Sequence, residues 1–203
     1  MSFSSILLIA LYIACEMIAN TTAGKPVALP GGITVPAAVF IYALTFTLID
    51  LVNERLGKQG ARYVVYSAFL ANLLLAGYSL FAVWLPPADF FGEEGQAAFE
   101  LVLGSTWRIV VASLTAYIVS SLIDVQVFAW WRERVGRYRW ARVLASNAVS
   151  TFIDSVLFIT IAFAGVMPIW PLILGQYVIK MAVTVISIPL IYTVRSHRAA
   201  SAA

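Results

Sequence analysis

The stretch Val35–Arg62, VPAAVFIYALTFTLIDLVNERLGKQGAR, decides the fold. No charge interrupts it until Asp50, and then Glu54, Arg55, Lys58 and Arg62 follow in quick succession. A helix needs about 20 mostly apolar residues to cross the ~30 Å hydrocarbon layer of a bilayer. The basic cluster after it is what keeps such a helix's end on the cytoplasmic side. Working outward, five more runs of this kind are found. The expected spans are 4–22, 33–53, 61–84, 107–131, 142–166 and 170–194, so the fold class expected is an all-α membrane protein, a bundle of six transmembrane helices forming a single domain over 1–203.

Composition agrees. The chain has 203 residues, of which 62% are hydrophobic and only 11% charged, with mean hydropathy +0.91. Soluble domains are about half apolar and about a quarter charged, and a water-soluble globule of this composition would expose aggregating patches. A soluble enzyme domain, a disordered chain and a nucleic-acid-binding basic surface are excluded on that ground. The net charge of +3 belongs to loops. Cys15 is the sole cysteine and lies in an apolar run, so no internal disulfide framework exists. The sole histidine, His197, lies in the C-terminal tail.

Basic residues set the orientation. Arg55, Lys58 and Arg62 follow span two, Arg132, Arg134, Arg137, Arg139 and Arg142 follow span four, and Arg195 and Arg198 follow span six, ten in all on one side. The other side has Lys25 together with Asp89, Glu93, Glu94 and Glu100. By the positive-inside rule both termini are cytoplasmic, in a multi-pass protein of the inner (cytoplasmic) membrane. Trp84, Trp107, Trp130, Trp131, Trp140 and Trp170 all fall near span ends, as interfacial tryptophans do. Span one has no basic leader and ends in a turn rather than a cleavage site, so it is not read as a signal peptide. The Pro- and Gly-containing segment 24–36 is read as a linker, and 85–106 as the longest extracytoplasmic loop, with a short amphipathic helix around Gln96–Leu103.

Function is sought among the polar groups inside the spans. A charge at mid-bilayer costs about 2.5–3.5 kcal/mol on insertion scales, and such residues face the bundle interior. At ~1.5 Å per residue, Asp154 on span five and Lys180 on span six reach similar depth near the midplane, and Glu16 lies near the middle of span one. Asn20 and Arg108 lie nearer the outer face; Asp50, Glu54, Asp124 and Gln126 form an inner layer. Asn147, Ser150 and Asp154 share one helical face by their spacing, as do Gln176, Lys180 and Thr184. The expected substrate-binding set is Asn20, Arg108, Asn147, Ser150, Asp154, Gln176 and Lys180, in a cavity between spans one, four, five and six. Glu16, Asp50, Glu54 and Asp124 are the gating or proton-coupling candidates. A buried ion pair that only fixes helix packing is the alternative for Asp154 and Lys180, and a snorkelling interfacial anchor for Arg108. No metal-ligand cluster stands out, and no cofactor is expected.

The order of these polar residues carries a resemblance. VPAAVFIYALTFTLIDLVNERLG (35–57), IDVQVFAWW (123–131), NAVSTFIDSVLF (147–158) and GQYVIK (175–180) together resemble the queuosine-precursor transporter family, also called the vitamin-uptake-transporter family, over about residues 17–194. The resemblance implies a six-helix fold similar to the substrate-binding subunits of energy-coupling-factor vitamin transporters. It also implies uptake of a 7-deazaguanine such as 7-cyano-7-deazaguanine. The alternative function is a substrate-binding subunit energised by a separate ATP-driven module. Expected partners are the small 7-deazaguanine substrate and the lipid bilayer, not nucleic acid, with a homodimer left open. The exact substrate and the energy source are left open as well.

Enzyme readings fare poorly. A rhomboid-type protease needs a histidine within the membrane. An intramembrane aspartyl protease needs Gly-x-Gly-Asp, whereas the aspartates within the expected spans sit in LIDLV, IDVQV and FIDSV. A membrane assembly factor with a structural polar core is a blander rival. For the ring of a deazaguanine, Asp154 is the expected acceptor and Lys180 or Gln176 the expected donor, with Phe46, Phe158 and Tyr177 near enough to form walls.

Overall fold

The computed structural model describes residues 3–134 and 139–200. Within those ranges side chains are described except at positions 43, 46, 47, 50, 53, 54, 58, 121, 124, 125, 128, 129, 131–134, 139–147 and 187–200. In chain order come helix α1 (Phe3–Thr22), strands β1 (Pro26–Leu29) and β2 (Ile33–Pro36), and helices α2 (Ala38–Trp84), α3 (Gly92–Leu103), α4 (Thr106–Arg134), α5 (Arg139–Phe163) and α6 (Ile169–Ala200).

Helix α2 is two limbs. At Gly57 the backbone leaves the helical region (φ 70°, ψ 177°), a conformation a residue without Cβ adopts at little cost. The limbs fold back on α1. Tyr12 packs in one cluster with Val52 from the first limb and with Val64 and Ala68 from the second. At the other end of α1, Ala19 and Ala23 share a cluster with Ala38, and Asn20 bonds Asn72. Thus α1 runs antiparallel to the first limb and parallel to the second. Near the break, Arg55 Nη1 donates to Ser4 Oγ at 2.5 Å and ties the start of α1 to this turn.

Four helical stretches among the described residues are long and apolar enough to cross a membrane: Phe3–Thr22, Gln59–Trp84, Gly92–Ser120 and Ile169–Ile186. Ala148–Phe163 is a shorter apolar helix. The chain is thus a mostly helical, multi-pass membrane protein. Large apolar side chains point outward along these stretches, among them Tyr66, Leu70, Leu74, Val178 and Ile186, as lipid-facing surfaces require. The inward faces carry small residues: Ala19, Ala23, Ala38, Ala112 and Ala162 pack with Ile109, Ile159, Phe163, Leu172 and Ile173. Lipid tails are as apolar as leucine, so close packing through small residues, rather than hydrophobicity, brings such helices together.

The segment read as a linker is a β-hairpin instead. Pro26 pairs with Pro36, Val27 with Val35, Ala28 with Thr34 and Leu29 with Ile33. Gly31 and Gly32 turn the chain at φ 83° and 76°. The prolines sit at strand ends, where a missing N–H is tolerated. The hairpin is seated on α6: Val35 is fully buried, and a Cβ on Gly175 would collide with the Thr34 carbonyl. The expected helix in the long loop is present and begins earlier, at Gly92.

Candidate functional site

A cavity of about 40 Å³ lies where α1, the first limb of α2, α4, α5 and α6 converge. Its walls are built by periodicity. Ala19, Asn20 and Ala23 come from one face of α1, and Ala38, Val39 and Tyr42 from the start of α2. Ser113 comes from α4, Asp154 and Phe158 from α5, and Gln176 and Lys180 from α6. The i, i+4 pairs Asp154/Phe158 and Gln176/Lys180 each put a polar and a second lining group on one stripe. The first limb of α2 joins the expected spans one, four, five and six because the hairpin delivers it beside the end of α1.

The polar groups are arranged around one ammonium. Lys180 Nζ is paired with Asp154 Oδ2, and it also lies over the Tyr42 ring, 5.0 Å from its centroid. A cation on an aromatic face is held by the ring quadrupole. Glu16, one turn from Asn20, is within electrostatic reach of Lys180 and Asp154, and its carboxylate accepts a side-chain hydrogen bond from Tyr12. Asn20 Nδ2 donates to Asn72 Oδ1 at 2.7 Å, and Asn72 Nδ2 donates to the Ala68 carbonyl at 2.9 Å. The first of these bonds fastens α1 to the second limb of α2, and the second holds Asn72 against its own helix.

Gln176 stands apart. It is 3% exposed, and its Nε2 has no hydrogen-bond partner among the described residues. Burying an amide donor without a partner costs about 1–3 kcal/mol. An orphan donor on the wall of a cavity beside a carboxylate is therefore a group that a ligand would satisfy. Ser155 Oγ is likewise buried and unpartnered among the described residues, but it does not line the cavity.

Of the expected substrate-binding residues, the structure gathers Asn20, Asp154, Gln176 and Lys180 on the cavity wall. Arg108 is used differently. Its Nε donates to the Ile161 carbonyl at 2.6 Å and its Nη2 to the Ala164 carbonyl at 2.8 Å, so it caps the last turn of α5 rather than lining the cavity. Last-turn carbonyls lack intrahelical partners, and a cation there also meets the negative end of the helix dipole. Ser150 is buried one turn before Asp154 and is not on the wall. The side chains of Asn147, Asp50, Glu54 and Asp124, and of Phe46, lie outside the described residues. Gln126 is exposed. Among the proposed walls, Phe158 lines the cavity, whereas Tyr177 packs edge-on against Phe152 at 5.6 Å. Tyr42 and Ser113 had no distinguishing signal in sequence: one is an aromatic in an aromatic-rich chain, the other a serine in an apolar helix. Among the described residues no group of His, Cys, Asp or Glu is assembled to hold a metal ion.

Known proteins resemble this chain along most of its length. A family described as "Putative vitamin uptake transporter" matches residues 36–194. A protein of Bacillus subtilis (strain 168) named "Probable queuosine precursor transporter" is 32% identical over 169 residues, covering 81% of this chain and 73% of the relative. A protein of the same name from Haemophilus influenzae (strain ATCC 51907 / DSM 11121 / KW20 / Rd) is 29% identical over 122 residues, 60% of this chain and 49% of the relative. No solved structure matches the chain.

Proposed function

Because the chain belongs to the vitamin uptake transporter family, we propose that it carries a queuosine precursor inward across the cytoplasmic membrane, with 7-cyano-7-deazaguanine as the substrate. In this reading the chain makes six crossings as one domain, the hairpin and α3 lie outside, and both termini lie in the cytoplasm. The ten-to-one basic asymmetry supports that orientation. The names of the two relatives support the substrate class.

The carrying observation is the unpartnered Gln176 amide beside the Asp154 carboxylate. A deazaguanine presents N1–H and the 2-amino group side by side, with O6 adjacent. Asp154 accepts from both donors, and the Gln176 Nε2–H donates to O6. Charge-assisted bidentate contacts are about twice as strong as neutral ones. Tyr42 and Phe158 supply the flat walls that a ring needs. Adenine turns an acceptor at N1 toward the carboxylate, and a site built on hydrogen bonds discriminates strongly against a ligand that leaves them unmet.

The cavity as it stands has room for roughly two or three waters, less than a bicyclic ring requires. Substrate entry therefore displaces the Lys180 head and parts the helices around it. The test is a thermal-shift screen of the purified protein against 7-deazaguanines, guanine, adenine and common vitamins. Stabilisation by 7-cyano-7-deazaguanine, weaker by guanine and none by adenine, is expected. Stabilisation by an unrelated vitamin alone sinks this reading.

A further inference from the structure

Two carboxyl groups, Glu16 and Asp154, lie within electrostatic reach of one ammonium. Lys180 pairs with Asp154 and also reaches Glu16 electrostatically, and no other cation reaches Glu16 among the described residues. Glu16 sits on α1 midway between Tyr12 and Asn20, four residues from each, and both neighbours are buried. Its carboxylate therefore faces the helices that line the cavity. Among the described residues, the titratable groups around it are Tyr12 and Cys15 on its own helix, Tyr42 on the first limb of α2, Asp154 on α5 and Lys180 on α6. Tyr117 on α4 is within electrostatic reach of Tyr12 and Tyr42.

The charge count is uneven. With every group ionised, Glu16, Asp154 and Lys180 sum to one negative charge inside the membrane. Lys180 offsets the cost of the second carboxylate only while it stays near both. A carboxylate in a membrane interior that loses its counter-charge neutralises itself by binding a proton.

We infer that Glu16 is the proton-binding site of this transporter, loaded when substrate draws Lys180 away. The inference rests on the reading of Asp154 as the substrate's acceptor. A ring seated on Asp154 takes the space that Lys180 Nζ now fills, and the ammonium follows O6 away from Glu16. Glu16 then takes one proton from water on the side to which the cavity is open. With all three groups ionised, the empty site holds one net negative charge. The occupied site holds the neutral ring, one proton on Glu16, the Asp154 carboxylate and the Lys180 ammonium, and is neutral overall. Substrate and proton thus cross together, and the inward proton gradient drives uptake.

Two experiments test this. The first needs no substrate. Infrared spectra of purified Lys180→Met and Lys180→Gln at neutral pH should show a protonated-carboxyl band that shifts on 13C-glutamate labelling. The band should vanish when Glu16→Gln is added. Its absence from both lysine variants overturns the inference whatever the substrate proves to be. The second is titration calorimetry with 7-cyano-7-deazaguanine in buffers of different ionisation enthalpy. Wild type should take up about one proton per ligand and lose affinity about tenfold per pH unit as the medium turns alkaline, whereas Glu16→Gln should bind with no proton uptake and a flat pH profile. Binding without proton uptake in wild type, proton uptake that persists in Glu16→Gln, or proteoliposome uptake that follows a sodium gradient instead overturns the inference. Failure of the compound to bind at any pH counts against the substrate reading, and the infrared band still decides the role of Glu16.

Discussion

Asp154 and Lys180 meet across 26 residues of sequence, and what the pair is for decides what the cavity is for. If Asp154 reads the N1–H and 2-amino edge, Asp154→Asn keeps the shape but sets an NH₂ donor against a donor. Losing a charged hydrogen bond costs on the order of 1.5–3 kcal/mol, roughly ten- to a hundredfold in affinity. Uptake should be abolished while the protein still inserts and purifies as a monodisperse species. Were the pair only a packing device, the same change would chiefly destabilise the fold, and adding Lys180→Met would restore both stability and transport. The expected result is no recovery of uptake in the double variant. Gln176→Leu gives a separate test. It removes a buried donor that has no partner among the described residues, so thermal stability in the empty state should hold or rise. Affinity for 7-cyano-7-deazaguanine should fall by about 0.5–1.5 kcal/mol, measured by titration, and a gain of affinity would remove Gln176 from the site.

At the scale of elements, two contacts fix the frame around the cavity. Arg108 holds the end of α5 through two carbonyls, and Arg108→Met should lower the unfolding temperature, by the equivalent of about 1–3 kcal/mol, without changing the preference for deazaguanine over adenine. Gly175 lets α6 approach β2, with the Thr34 carbonyl where a side chain would be. Gly175→Val should unseat the hairpin at a cost of about 1–3 kcal/mol or more, read as earlier unfolding and as protease sensitivity within 26–36. These elements also mark what could be read from sequence. The helices were legible because uninterrupted apolar runs leave a bilayer segment few options, and the meeting of Asp154 with Lys180 followed from their equal depth. The hairpin was not, because its Pro and Gly residues read equally well as loop. The partners of Arg108 were not legible because backbone carbonyls carry no residue-type signal. Tyr42 was missed because an aromatic in an apolar span marks a wall only once the neighbouring helices are in place.

At the scale of the whole molecule, the described residues give an apolar exterior, small residues where helices touch, and a cavity on whose wall Lys180 pairs with Asp154. The proposed orientation rests on charge alone, so it can be checked apart from the chemistry. In a variant with Cys15 replaced by serine, single cysteines at positions 93 and 137 should label from outside and from inside respectively, and the reverse pattern would invert the topology. The central claim is transport, and complementation tests it most directly. Cells unable to make queuosine precursors and lacking their own transporter are given this chain alone and supplied with 7-cyano-7-deazaguanine at low concentration, and queuosine in their tRNA is measured. Wild type should restore the modification and Asp154→Asn, expressed to the same level, should not. No restoration by wild type, or equal restoration by Asp154→Asn, contradicts the assignment of this cavity to a queuosine precursor.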